Sequence, residues 1–109
     1  MATFEEFEKL DMRTGVIREV EPFPRARKPS FRLTIDFGPE IGSKQTSAQV
    51  TNYRPEELIG MSIIAVVNFP PKNIAGFRSE VLVLGVPGEG GQISLLTPSR
   101  PAPLGGRVY

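Results

Sequence analysis

Two residue types are missing from this 109-residue chain: cysteine and histidine. Without thiols there is no disulfide framework and no thiolate chemistry, and without imidazole the usual zinc sites and the commonest general base are lost as well. Charge of one sign is not in excess either, because 13 Lys and Arg stand against 12 Asp and Glu for a formal net charge of +1. Any attraction to nucleic acid or to an anionic lipid must therefore come from local clustering. Long hydrophobic runs are absent too: none approaches the roughly 20 apolar residues that span a bilayer, so no membrane insertion is expected. Met1-Ala2-Thr3-Phe4-Glu5-Glu6 is acidic and has neither the basic start nor the apolar centre of a secretory signal. A cytoplasmic location is the expectation.

What remains fits a single domain, residues 1–109. An apolar fraction of 39% is enough for a compact core, although a small β domain leaves much surface to water and gains from a partner chain. The centre of the chain is the stretch from Ile63 to Leu84. Its two apolar runs, Ile63-Ile64-Ala65-Val66-Val67 and Val81-Leu82-Val83-Leu84, are β-branched and too short for ordinary helices, so they read as buried strands. The polar connection between them contains Pro70-Pro71, which cannot donate main-chain hydrogen bonds and excludes a helix or central strand there. Gly76 permits a positive φ or a close approach. Asn68, Lys72, Asn73, Arg78 and Ser79 are thus presented from a shaped loop pinned at both ends. That loop is either a binding site or a plain turn joining two strands.

In chain order, Thr3 and Glu6 form a capping box before Phe4, Phe7 and Leu10, which predicts a short helix with one apolar stripe. At about two turns it must dock, on its own barrel or on a partner subunit. Asp11 to Glu21 reads as a long first strand with a bulge or bend at Gly15. Arg25, Arg27 and Lys28, with Arg32, make the densest basic cluster, either a solvated loop or a phosphate-facing arm. Phe31, Leu33, Ile35 and Phe37 alternate with Arg32, Thr34 and Asp36 in a clear strand, and Ser43 to Val50 is a second, more polar one. Pro55 to Gly60 is one helical turn, proline first and glycine after its end. Gly85 to Gly91 reads as a flexible turn, Ile93 to Leu96 as a last short strand, and Thr97 to Tyr109 as an irregular tail that keeps Leu104, Val108 and Tyr109 apolar.

Five or six short strands, a glycine-broken first strand, a helical turn between the third and fourth, and no βαβ alternation predict an all-β fold: a small five-stranded OB-fold barrel with a short N-terminal helix and an irregular C-terminal tail. An SH3-like barrel is the nearest competitor.

Particular residues add a resemblance. Leu10-Asp11-Met12-Arg13-Thr14-Gly15-Val16-Ile17 resembles the Asp-x-Arg-x-Gly-x-Ile opening of the tRNA-binding domains appended to some bacterial methionyl- and phenylalanyl-tRNA synthetases. Asn68-Phe69-Pro70-Pro71-Lys72-Asn73-Ile74-Ala75-Gly76-Phe77-Arg78-Ser79 resembles the Asn…Pro…Gly-x-x-Ser signature of the same superfamily. Ile35-Asp36-Phe37-Gly38, Ser47-Ala48-Gln49, Val66 to Pro71 and Ser79 to Gly85 make residues 5 to 109 similar to its stand-alone CsaA-type secretion chaperones. The resemblance implies a cytoplasmic OB-fold homodimer, with residues 1–10 and 98–109 as dimerisation extensions, that binds unfolded or export-bound polypeptides. It leaves open whether protein-export machinery also docks. It gives Asn68, Lys72, Gly76 and Ser79 as motif positions, Asn68 and Ser79 as hydrogen-bonding groups and Lys72 as a cation near the ligand. Glu80 and Val81 depart from the tRNA-binding pattern, and a carboxylate at 80 would repel phosphate.

Two functions follow. A polypeptide-binding chaperone needs an exposed apolar groove rimmed by charge, and Phe69, Ile74 and Phe77, with Arg78 beside them, supply candidates. A tRNA-binding module is the alternative, since residues 25–54 hold six Lys and Arg against two acids, with Tyr53 and Phe23 as stacking candidates. An enzyme is not expected, because no nucleophile motif, metal-ligand spacing or phosphate loop is present, and no cofactor has a signature.

Overall fold

A computed structural model describes residues 1–109. In chain order its elements are α1 (Phe4–Glu8), β1 (Met12–Pro22), β2 (Phe31–Asp36), β3 (Ser43–Ala48), α2 (Pro55–Leu58), β4 (Ser62–Val66), β5 (Lys72–Ile74), β6 (Phe77–Ser79), β7 (Leu82–Val83), β8 (Gly85–Pro87) and β9 (Ile93–Leu95). Five of these form one antiparallel sheet in the order β3-β2-β1-β4-β7, curled into a nearly closed barrel of OB-fold type. No helix is long and apolar enough to cross a membrane.

The length of β1 is what lets one sheet curl. Met12 to Val16 pair with β4, and Val16 to Pro22 pair with β2, so the strand belongs to both sides. Its irregularity lies between Ile17 and Glu19, at Arg18, and not at Gly15 as the lone glycine suggests. Gly15 stays in register opposite Ile63, and its missing side chain serves packing instead. A Cβ there would sit 2.7 Å from both Ile35 Cγ2 and Phe37 Cε1, far inside van der Waals contact.

The alternation in β2 holds: Leu33, Ile35 and the following Phe37 point into the core with Ile17, Val50, Leu58, Ile63 and Ala65. Leu58 closes one end from α2, whose proline start and Gly60 exit, at φ +89°, match the sequence pattern. Thr46 is the one buried polar side chain, and its hydroxyl donates to the Val81 carbonyl at 2.7 Å. Thr3 and Glu6 form the capping box of α1.

Three connections differ from the sequence expectation. The polar insert after β4, expected as a shaped loop, contains strands: β5 and β6 pair as a hairpin around Ala75 and Gly76, both at positive φ as a tight two-residue turn requires. The Val81–Leu84 run is not a buried strand: Val81 alone is buried, while Leu82 is 50% exposed. Gly85 to Gly91 is not merely a turn either, since β8 pairs with β9 around a 3-10 turn at Glu89–Gly91. Every peptide bond is trans, those before Pro70 and Pro71 included.

The C-terminal tail lies along the first residues of β1, on the edge that β2 leaves free. Thr14 N–H donates to Gly106 O, Gly105 N–H to Thr14 O, and Val108 N–H to Met12 O, each at 2.9 Å. Arg13 Nη1 adds a bond to the Gly105 carbonyl at 2.9 Å. The Arg13 guanidinium is held above its ordinary pKa chiefly by its hydrogen bond to Asp11, 2.6 Å away.

Candidate functional site

The barrel closes imperfectly between β3 and β7, and the seam is where a site forms. Glu80 bridges one end: its N–H donates to Gln45 O at 2.9 Å, and its carboxylate accepts from Gln45 N–H at 2.9 Å. Beyond that bridge the walls part into a cleft of about 570 Å³. A second recess of about 240 Å³ adjoins it. Ser47, Ile74 and Leu82 line both, so the two make one continuous groove.

The floor of the groove is apolar. Ala48 ends β3 with the buried Val50 just beyond it, Leu82 and Val83 come from β7, and Ile93 and Leu95 from β9. The rim is basic: Arg27 and Lys28 border the large cleft, and Lys72 borders the smaller recess. None of these three cations, nor Arg25 beside them, takes part in an ion pair within the chain, and all four are exposed. Glu80 is the one carboxylate on either lining. Its other oxygen lies 3.9 Å from Arg78 Nε.

The hairpin β5–β6 forms one wall and gathers most of the motif. Ile74 faces the groove, and Lys72 and Ser79 line its smaller part with Phe69 and Pro70. Ser79 is tied to β3, its Oγ 2.8 Å from Thr46 Oγ1 and 3.4 Å from Ser47 N. Gly76 shapes the turn, with its N–H on the Asn73 carboxamide at 2.9 Å. Arg78 points its carbonyl at Gln45 Nε2, 2.9 Å away.

Six expected positions line neither part of the groove: Arg25, Arg32, Asn68, Gly76, Phe77 and Arg78. Asn68 spans α1 and β1 instead, accepting from Asp11 N–H at 2.9 Å and donating to Lys9 O at 2.8 Å. Phe77 packs edge-on against Phe23, with ring centroids 5.4 Å apart. Arg32 lies against the same pair. Its guanidinium lies 5.6 Å from the Phe77 centroid and 5.8 Å from that of Phe23, and Nη2 donates to Glu21 at 3.3 Å. Its Nε is buried without a partner. Of the stacking candidates, Phe23 is only 6% exposed and the Tyr53 hydroxyl accepts from Leu95 N–H at 3.0 Å.

Sequence reasoning missed Leu82, Val83, Ile93 and Leu95 as groove residues. The Val81–Leu84 run carries no alternating polar residue to mark which side faces water, and the alternation of Ile93 and Leu95 about Ser94 is too short to say what the apolar side covers.

Comparison with known proteins identifies the family. The family model described as "Putative tRNA binding domain" matches residues 12–107. The methionine–tRNA ligase of Thermococcus kodakarensis is 35% identical over 107 residues, 97% of this chain but 14% of the ligase. That of Methanosarcina mazei is 31% identical over 105 residues, again 14% of the ligase. The chain thus spans about one-seventh of the curated relatives it matches. The crystal structure of the CsaA chaperone protein from Picrophilus torridus superposes with a TM-score of 0.95 at 52% identity, covering 100% of both chains. That of chaperone CsaA from Bacillus anthracis gives 0.93 at 55% identity, covering 100% of this chain and 99% of the other.

Proposed function

Because the chain belongs to the tRNA-binding-domain family, and carries a groove whose floor is apolar, we propose that it is a non-catalytic, CsaA-like chaperone that binds unfolded or export-bound polypeptides as a cytoplasmic homodimer. The observation that carries this reading is the composition of the groove. Leu82, Val83, Ile93 and Leu95 offer apolar contact to intermittent side chains of an extended chain, while Arg27, Lys28 and Lys72 stand unpaired at its edge. Phosphates would draw no benefit from such a floor. Two solved neighbours above 50% identity are called chaperones.

A second reading, a tRNA-binding module, is favoured by the family itself and by the four exposed cations Arg25, Arg27, Lys28 and Lys72, which have no partner carboxylate. Glu80 on the lining weighs against phosphate there.

Salt separates the two. Apolar contact survives added salt, whereas neutralising Z phosphates of a single strand gives a log–log slope of roughly −0.7Z. Purified protein is titrated at rising salt against a permanently unfolded polypeptide and against bulk tRNA. Affinity for the polypeptide that is retained while tRNA dissociates is the expected result. A tight, steeply salt-dependent tRNA complex with no polypeptide binding overturns the chaperone reading.

A further inference from the structure

The main-chain edge that borders the groove says how a polypeptide would lie in it. Gln45 turns both its N–H and its C=O away from β2, toward Glu80. The β2–β3 register runs residue for residue from Ser43 to Ala48, so the period of two places Ser47 on the same outward edge, and Gln49 follows just past the end of the strand. There the closure stops. Ser47 N–H meets only the Ser79 hydroxyl, at 3.4 Å. The Thr46 hydroxyl lies 3.3 Å from Ser47 O, but its single proton is better placed on Val81 O at 2.7 Å. Gln49 has no main-chain partner for either of its groups. Ser47, Gln49 and their neighbour Ala48 all line the large cleft.

We infer that a bound polypeptide enters this seam as an added antiparallel or parallel β-strand, hydrogen-bonded to the β3 edge at Ser47 and to the Gln49 main chain that follows it, with alternate apolar side chains on the groove floor and carboxylates toward Arg27, Lys28 and Lys72. The inference rests on the polypeptide reading and specifies its chemistry. An open strand edge offers the alternating donors and acceptors that an extended peptide supplies, and side-chain pockets beside it set specificity. The facing wall is short, since β7 has two residues and pairs with β4 on its far side. Charge selects the occupant. The same three cations repel the identical edge of a second copy and attract an acidic segment.

The test uses a short capped peptide alternating valine and glutamate, and two versions N-methylated at alternate amides, one set in each register. N-methylation removes strand donors without altering side chains. One N-methylated register is expected to bind roughly tenfold or more weakly than the parent, the other nearly as well, because only one set of amides faces β3. Hydrogen exchange at the Gln49 amide should slow on binding of the parent. Gln49→Pro, which deletes that donor, should weaken the parent peptide while leaving the unfolding midpoint unchanged; should the variant misfold, the peptide pair still decides. Equal affinity of all three peptides would overturn strand addition and leave the polypeptide reading standing. If neither the parent peptide nor an unfolded protein binds, the polypeptide reading fails and this inference with it. Protection of Gln49 by a single-stranded RNA oligonucleotide, and not by the peptide, overturns it in favour of nucleic acid.

Discussion

The carboxamide of Asn68 accepts the main-chain N–H of Asp11 at 2.9 Å, and its amide nitrogen donates to Lys9 O at 2.8 Å. One side chain thereby holds the junction of α1 and β1 to the end of β4. The asparagine of the signature is in this chain a clamp on the helix. Asn68→Ala removes both bonds and should cost about 1–2 kcal/mol, read as a lower urea midpoint, with groove affinity for an unfolded polypeptide unchanged. Lost affinity at full stability would instead make Asn68 a ligand contact.

Two glycines are fixed by what lies opposite them. At Gly15 a Cβ would meet Ile35 and Phe37 side chains at 2.7 Å; at Gly105, with φ +77°, it would sit 2.6 Å from the Phe37 carbonyl oxygen. Gly15→Ala should destabilise by about 1–3 kcal/mol through overpacking. Gly105→Ala combines a strained φ with a backbone clash, and should free the tail from β1. Calorimetric unfolding checks the first, and hydrogen exchange at Thr14 N–H the second. Native midpoints in both variants would mean that neither close approach is real in solution.

Strong periodicity made part of this legible in the sequence. Leu33, Ile35 and Phe37 alternate strictly, and Thr3 with Glu6 is a local signal, so β2 and α1 could be drawn from the chain alone. The groove could not. Val81-Leu82-Val83-Leu84 looks like a core strand, yet Leu82 is half exposed, because exposure there is decided by the unclosed β3–β7 seam, a relation between residues some 35 positions apart. Arg32 shows the same limit. It is one basic residue among four in the sequence, but folding stacks it on Phe23 and Phe77 and pairs it with Glu21.

Phe77 and Leu82 separate support from contact. Phe77 packs on Phe23 and Arg32 behind the hairpin, so Phe77→Ala should destabilise by about 1–3 kcal/mol and affect binding only through stability. Leu82 projects half exposed into both parts of the groove. Leu82→Asp should leave the unfolding midpoint within about 0.5 kcal/mol of the parent and weaken an unfolded polypeptide by roughly tenfold or more. The opposite pattern, binding lost in the first and kept in the second, would move the site to the hairpin's other side.

Glu57 supplies a pH signature at the far end of the barrel. Its carboxylate accepts from the Arg54 N–H at 3.0 Å and from Arg54 Nε at 3.2 Å, and the main-chain bond, followed by the side-chain one, holds its pKa below the ordinary glutamate value. A depressed folded pKa means that the stabilisation is complete above the unfolded pKa and is lost as pH falls through the folded one. Acid should therefore loosen α2 before the core. The Glu57 carboxyl titration, followed by NMR, should lie below that of glutamate in a short unstructured peptide; coincidence of the two curves would remove the cap.

No residue of α1 is buried, and Phe4 is 71% exposed on a five-residue helix that cannot persist by itself. The tail is already bonded to β1, so deleting residues 98–109 would damage the barrel as well as any interface. Phe4→Glu is the cleaner probe. Position 4 opens the first turn, where a carboxylate suits the helix dipole and the Thr3–Glu6 box is untouched, so the helix should survive. If α1 is a dimer contact, burying that charge should lower the dimerisation constant by roughly tenfold or more, and sedimentation should shift toward monomer at low concentration. A dimer of unchanged strength would take α1 out of the interface, and a parent protein already monomeric would remove the dimer from the proposed function.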